Sequence, residues 1–323
     1  MMQSCFYERG SALQKIKKEI HMYTDFYNRL KTIISEENIL VNEPMSKHTT
    51  FRIGGTADLY VSPEIEDVPQ IMALAKECQV PVTIVGNGSN LLVGDKGIRG
   101  LVVSFGKATE YVEVDGSCII AGAGALLSKI AAEALKHSLT GFEFAAGIPG
   151  TLGGALVMNA GAYGGEMKDV LITAKVLTPE GEIEILSAEE LDLSYRHSCI
   201  PEKGYIVLEA IIELQPSEET AIREMMEDFK GRRVDKQPLE YPSAGSTFKR
   251  PEGHFAGKLI QDAELRGYTV GGAQVSEKHC GFVINKGGAT AADVCQLIND
   301  VKRIVYDKFQ VELEPEVKMI GEF

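Results

Sequence analysis

Apolar residues recur at helical spacing in several stretches of the chain. Phe26, Leu30, Ile33 and Ile34 mark a helix over 22–37. Over 125–137, Leu126, Leu127, Ile130, Ala131, Ala134 and Leu135 fall on one face. A third stripe runs through Val294, Leu297, Ile298, Val301, Ile304 and Val305, with Thr290 and Asp293 as its opening signal. Ser62 as N-cap and Pro63 at the first helical position predict a further helix to about Lys76. Residues 218–233 form a densely charged helix leading into another domain. Between these lie strand-like runs: 59–61, a buried strand at 81–86, then 101–105, 111–115 and 117–121. Runs at 171–178 and 182–186 flank the turn Pro179-Glu180-Gly181. Ser187 and Glu190 have capping-box spacing for a short helix before Tyr195-Arg196. A bulged or bent strand over 204–216 and strands at 282–285 and 311–318 complete the pattern. Several neighbouring strands are hairpin-like, so the mixture reads as α+β rather than a doubly wound sheet. A boundary falls near Pro216–Ser217.

With 323 residues, 44% of them hydrophobic, the chain has material for about two domains. It carries 33 basic and 46 acidic residues, a formal net charge of −13. That balance argues against nucleic-acid or anionic-membrane partners, and an anionic ligand would need local positive charge. No run of 18 apolar residues appears. Residues 1–21 are basic and lack the apolar centre of a secretory signal; they read as an extension outside the fold, with Met22 as a natural start. Six scattered cysteines without a C-x-x-C pair suggest reduced thiols. No H-E-x-x-H is present, and no metal site is expected.

Chemistry concentrates in a few segments. Gly86-Asn87-Gly88-Ser89-Asn90 follows a strand, and such a loop lets backbone N–H groups approach a phosphate. Leu91 stands where a dinucleotide fingerprint needs its third glycine, and a plain turn is the alternative. The run from Gly147-Ile148-Pro149-Gly150 through Gly153-Gly154 to Asn159, Gly161, Tyr163 and Gly164 is dense in glycine. It reads either as backbone wrapped around a flat ligand with a diphosphate or as close approach among small residues. Arg196 follows a predicted short helix, and the alternative is an ordinary surface arginine. Ser243-Ala244-Gly245-Ser246-Thr247-Phe248-Lys249-Arg250 puts two serines and two cations in a loop bounded by prolines; an ordinary turn is the alternative. Glu316 sits between apolar neighbours in the last strand, an uncommon place for an unpaired carboxylate.

Together these segments resemble the UDP-N-acetylmuramate dehydrogenases, also called UDP-N-acetylenolpyruvoylglucosamine reductases. The matching stretches are HTTFRIGGTAD at 48–58, VGNGSNLLV at 85–93, AAGIPGTLGGALVMNAGAYGGE at 145–166 and YRHS at 195–198. PSAGSTFKRP at 242–251, AGKLI at 256–260, GGAQVSEKH at 271–279 and LEPEVKMIG at 313–321 follow in the family's order. The resemblance implies an α+β fold: a vanillyl-alcohol-oxidase-type FAD-binding module over 22–216, in two α+β subdomains, and a substrate-binding domain over 217–323. The strand with Glu316 would return to the active site. It further implies a cytoplasmic flavoenzyme of peptidoglycan precursor synthesis. NADPH would be the co-substrate, FAD would be held non-covalently, and a UDP-sugar enolpyruvyl ether would be reduced. Arg196, Ser246 and Glu316 would be catalytic, with Ser246 the proton donor. Arg52, Gly86, Asn87, Gly88, Ser89, Asn90, Gly147, Ile148, Gly150, Gly153, Gly154, Asn159 and Gly161 would hold FAD. Tyr163, Lys249, Arg250, Lys278 and His279 would face substrate, with Lys258 another candidate cation. The chain matches a shorter subtype without an aromatic-bearing insertion between Arg196 and Ser246. Another FAD oxidoreductase of the same module, acting on an alcohol, is the competing reading.

Overall fold

The computed structural model describes residues 23–323, so the expectation for residues 1–21 lies outside the described residues. Three packed bodies follow one another along the chain. The first begins with helix α1 (residues 23–30), whose Phe26 and Leu30 are fully buried. It continues with β1 (Ile39–Pro44), β2 (Thr56–Val61), α2 (Val68–Glu77), β3 (Val82–Val85), β4 (Leu91–Val93) and β5 (Ile98–Ser104). The sheet order is β1-β2-β5-β3, with β2 and β3 both parallel to β5. Leu59, Val61, Ile71, Leu74, Leu101 and Val103 close the core around α1. Two expectations shift here. Pro63 does not open a helix: a 3-10 turn over Ile65–Asp67 intervenes, and Pro69 takes the first-turn position of α2. The apolar run at 81–86 forms β3, an edge strand with Ile84 37% exposed, because run length alone does not tell edge from centre.

The second body starts with β6 (Val112–Asp115), β7 (Cys118–Gly122), α3 (Leu127–Lys136), β8 (Leu139–Thr140), α4 (Leu152–Val157), β9 (Gly161–Ala162) and β10 (Gly165–Glu166). Next come β11 (Leu171–Leu177), β12 (Ile183–Ser187), α5 (Ile200–Lys203), β13 (Ile206–Glu213), β14 (Gln215–Pro216) and α6 (Glu219–Lys236). Its antiparallel sheet has the order β12-β11-β13-β7-β6. The register of β13 against β11 slips between Lys175 and Val176, the irregularity its sequence suggested. Leu127, Ile130, Ala131 and Ala134 are the buried stripe of α3, while Leu126 caps it from outside. The Ser187–Glu190 capping bonds form, yet they close a turn rather than a helix. Helix α6 buries Ile222 and rests on α3 and β8. It therefore packs with the body before it, and the change of core comes at about residue 237.

The third body holds β15 (Ser243–Ser246), α7 (Ala256–Asp262), β16 (Thr269–Val270), β17 (Ala273–Val275), β18 (Phe282–Asn285) and α8 (Ala291–Phe309). Its sheet order is β15-β18-β17-β16. Thr290 and Asp293 make the capping box of α8, and Val294, Leu297, Ile298, Val301 and Val305 form its buried stripe. The segment expected as a strand at 311–318 becomes regular only as β19 (Lys318–Ile320), which pairs in parallel with β4 of the first body. Phe51, Ile53 and Leu92 of the first body enter the core of the third. The Asp95 carboxylate accepts from the N–H groups of Ala291 and Ala292 at the start of α8. The first and third bodies are thus joined through apolar packing, a strand pair and a helix cap. Among the described residues, no helix is long and apolar enough to cross a membrane.

Candidate active site

An open cavity of about 370 Å³ gathers Arg196, Ser246 and Glu316 into one wall, with Arg250, Lys258, Lys278 and His279 around it. Each of the first three is placed by a different device. Ser246 ends β15, where the register against β18 slips and turns its side chain outward. The next two side chains, Thr247 and Phe248, are buried; Thr247 Oγ1 accepts from the Val283 N–H at 2.9 Å. Glu316 lies in the extended segment before β19. Its N–H donates to the Thr247 carbonyl at 2.8 Å, and its carbonyl accepts from Asn90 Nδ2 at 3.1 Å. That segment is clamped between the serine loop and the Gly86–Asn90 loop.

Arg196 sits in a two-residue turn closed by the Ser194–His197 bridge, not after a helix, and has φ +54°. Such a conformation is strained for a non-glycine residue and needs support. Asn159, fully buried, supplies it: its Nδ2 donates to the Ser194 carbonyl and to Glu166, and its Oδ1 accepts from the Lys168 N–H. Arg196 Nε donates to Glu316 Oε1 at 2.8 Å, and its Nη2 to the Gly161 carbonyl at 3.1 Å. One guanidinium nitrogen, Nη1, keeps its donors unpaired among the described residues.

The electrostatics follow from burial. Desolvation raises the Glu316 pKa above the ordinary carboxylate value, against the opposing pull of Arg196, Lys249 and Lys318. Burial also lowers the His279 pKa, helped by the nearby Lys236 charge, while a backbone hydrogen bond opposes it. The His279 Nδ1 accepts from the Gly281 N–H at 3.1 Å, which leaves the proton of the neutral ring on Nε2. Arg196, Arg250, Lys258 and Lys278 face Glu316 as the one acidic residue in the lining. An acidic chain has concentrated positive charge at this cavity.

The expected substrate residues divide. Arg250, Lys278 and His279 line the cavity, and so does Lys258, which pairs with Asp262. Lys249 is tied to Glu314 at 2.5 Å and is absent from the lining. Tyr163 stacks on Phe229 of α6 at 4.4 Å and donates to the Phe229 carbonyl, away from the cavity lining.

The glycine loops meet next to this wall. Asn87 Nδ2 donates to the Pro149 carbonyl at 2.7 Å and ties one loop to the other. Gly88 has φ +62°, and a Cβ there would lie 2.1 Å from the His48 carbonyl oxygen. The backbone N–H groups of Asn87, Gly88, Ser89 and Asn90 donate to no protein acceptor among the described residues. Gly150 and Gly154 face open space to at least 3.5 Å. At the remaining glycines the protein itself stands close. A Cβ on Gly86 would strike Thr151 Oγ1, one on Gly153 would press on Ala123, and one on Gly161 on the Gly165 carbonyl. On Gly147 it would meet Arg233 Nη1 at 3.1 Å. The side chain of Asn159 and the carbonyl of Gly161 both hold the Arg196 turn in place. Ile148 packs on the core of the second body, and Arg52 is exposed with φ +56°.

The family model for the UDP-N-acetylenolpyruvoylglucosamine reductase C-terminal domain matches residues 237–320, and that for an FAD binding domain matches 57–187. A UDP-N-acetylenolpyruvoylglucosamine reductase of Agathobacter rectalis is 59% identical over 94% of this chain and all of its own length. One from Clostridium perfringens is 52% identical over 94% of this chain and 99% of its own. The chain belongs to the UDP-N-acetylenolpyruvoylglucosamine reductase family. The crystal structure of the family's enzyme from Thermus caldophilus superposes with a TM-score of 0.75 at 34% identity, covering 87% of this chain and 97% of that one. The fold is accordingly an FAD-binding module followed by the reductase C-terminal domain.

For a reductase of this family, the unpartnered amides of 87–90 and the open faces of Gly150 and Gly154 fit an FAD diphosphate and its flat rings. One residue on this side escaped the sequence reading. Arg233, on α6, is half-buried against Gly147; its Nε donates to Gln237, and no carboxylate pairs with it among the described residues. The dense charge of α6 masked it, since one arginine among many carries no signal.

Proposed function

We propose that this chain reduces UDP-N-acetyl-3-O-(1-carboxyvinyl)-glucosamine to UDP-N-acetylmuramate in the cytoplasm, with NADPH as reductant and FAD as carrier. The observation that carries the residue assignment is the Arg196–Glu316 pair beside the Ser246 hydroxyl in one cation-rich cavity. The 86–90 and 147–154 loops would hold FAD non-covalently, with Arg233 adding positive charge at Gly147. When bound, FAD would supply the redox chemistry, a hydride passing from NADPH to C3 of the enolpyruvyl group. Negative charge then grows on the C2–carboxylate unit, where the fixed, largely buried Arg196 guanidinium stabilises it. Glu316 holds that guanidinium through Nε, and Gly161 holds it through Nη2. Ser246 gives its proton to C2. Its hydroxyl is a weak acid in water, so its contribution rests on position against a strongly basic carbon. Arg250, Lys258 and Lys278 receive the substrate diphosphate.

The two half-reactions test the assignment. In Ser246→Ala, NADPH bleaches the flavin at nearly the normal rate, while reoxidation by substrate slows by about 10²–10⁴-fold. Ser246→Cys recovers part of that loss. Stopped-flow absorbance under anaerobic conditions reads both steps. A Ser246→Ala enzyme slowed only in the NADPH step, or in neither, removes Ser246 from the chemistry.

A further inference from the structure

Beyond Glu316 the chain continues as a strip laid on the outside of the first body. Ile320 is partly buried there, while Lys318, Met319, Gly321, Glu322 and Phe323 are exposed. So little apolar burial does not account for the strip's fixed position. Backbone bonds hold it instead. Lys318–Ile320 pair with β4, the Gly94 N–H donates to the Ile320 carbonyl at 3.0 Å, and the Lys96 N–H donates to the Glu322 carbonyl at 3.1 Å. The Glu322 N–H donates in return to the Gly97 carbonyl at 2.9 Å. The fit leaves no room for side chains at this joint. A Cβ on Gly94 would lie 2.1 Å from the Glu322 carbonyl oxygen, and one on Gly321, at φ +81°, 2.4 Å from the Gly97 carbonyl oxygen. Asn90 links the strip to Glu316. Its own carbonyl accepts from the Lys318 N–H at 2.9 Å, and its Nδ2 donates to the Glu316 carbonyl at 3.1 Å.

We infer that residues 318–322 are a positioning strap for Glu316: docked on β4 and Gly97, they fix the carboxylate that aims the Arg196 guanidinium. The inference rests on the role proposed for Glu316. Each peptide unit is rigid, so in an extended segment a displacement at Lys318 reaches Glu316 through only two residues. A misplacement of about 1 Å in a catalytic group, caused from a distance, costs about 10²-fold in rate. The strip itself has little to add to stability, because exposed backbone bonds largely replace bonds to water. Its close fit at Gly94 and Gly321 therefore serves the position of what it carries.

Gly94→Ala and Gly321→Ala press on the same joint from its two sides, outside the cavity lining and the 86–90 loop. Both are compared with the unaltered holoenzyme for flavin content, melting temperature and the two half-reactions, alone and combined with Glu316→Gln. Gly321→Ala, on the exposed strip, keeps the test open if Gly94→Ala disturbs the first body. Each variant keeps its FAD, melts close to the unaltered protein and is bleached by NADPH at the normal rate. Reoxidation by substrate slows by about 10- to 100-fold. In the Glu316→Gln background the same substitutions add less than about twofold, since the strap acts through a residue already altered. Normal reoxidation in Gly321→Ala overturns the inference. So does equal slowing of both half-reactions, loss of FAD or a large fall in melting temperature in that variant, or full additivity with Glu316→Gln. Normal reoxidation in Glu316→Gln alone strikes the role proposed for Glu316, and the inference falls with it.

Discussion

The wall we propose for the cofactor and the wall we propose for the substrate are built in opposite ways. The first is backbone. Loops 86–90 and 147–154 each follow directly on a short structured element, and their useful groups are N–H donors and missing side chains. The second is side chains drawn from three distant segments: Arg196 and Glu316 meet across 120 residues of chain, and Ser246 comes from between them. A backbone surface tolerates changes of side chain that leave its φ and ψ alone, and fails when a Cβ enters. A side-chain surface fails by loss of one group while the fold stands. Damage to the two walls is therefore separable, in flavin content on one side and in a single half-reaction on the other.

The largest expected effect comes from the side-chain wall. Arg196→Met removes the guanidinium where charge develops, and substrate-driven reoxidation falls by about 10²–10³-fold. Flavin content and bleaching by NADPH remain near normal. Loss of FAD from this variant would show that the two walls are one structural unit. The backbone wall answers in the opposite sense. Gly88→Ala forces a Cβ to within 2.1 Å of the His48 carbonyl oxygen in a left-handed conformation that alone costs roughly 1–2 kcal/mol. The protein then purifies without most of its flavin and melts at lower temperature. The fraction that keeps FAD reoxidises with substrate at the normal rate. A variant that holds its flavin fully would separate the loop from the cofactor.

The same division decides how much was legible in the sequence. Local signals read well: the Thr290–Asp293 cap of α8, the stripe of α3, the turn at Gly181 and the glycine loop after β3. These depend on residues within a few positions of one another. The placing of Arg196 did not read locally, because its strained turn is held by Asn159 and Gly161, which lie 35 or more residues earlier. A glycine run reveals close approach but not what approaches, so the hold of Asn159 and Gly161 on the Arg196 turn is not legible from it. Ser62-Pro63 competed with Pro69 for one helix start, and the later proline prevailed. The dense charge of helix α6 reads as the start of the C-terminal domain, although Ile222 anchors it to the second body. The family resemblance supplied what spacing could not, the meeting of 196, 246 and 316.

A smaller effect sharpens the junction between the two loops of the cofactor wall. Asn87→Ala deletes the 2.7 Å bond to the Pro149 carbonyl. An exposed amide bond of this kind contributes about 0.5–1.5 kcal/mol, so FAD affinity falls by roughly 2- to 12-fold with no change in either half-reaction at saturating flavin. Titration of apo-protein with FAD, followed by flavin fluorescence, reads this directly. Unchanged affinity would mean that the loops hold their positions independently.

The smallest effect concerns the side-chain wall in the absence of chemistry. Burial raises the Glu316 pKa even with Arg196 at 2.8 Å, so its ionised form is less favourable in the folded protein than in the unfolded chain. A carboxyl group whose folded pKa lies above its unfolded one contributes stability below the unfolded value and loses it as pH rises through the folded value. At neutral pH the native enzyme therefore carries a folding penalty from this charge, retained because the pair positions the guanidinium. Glu316→Gln keeps the shape and removes the charge. Its melting temperature should be slightly above that of the native protein at pH 7–8, and the difference should vanish as pH falls below the ordinary glutamate range. Its turnover, by contrast, should fall at every pH. Thermal melts of the two proteins across pH 4–8 check the sign. A variant less stable than native at neutral pH and equal in acid would mean that the Arg196 pairing outweighs burial, and that this wall is held together by its charges.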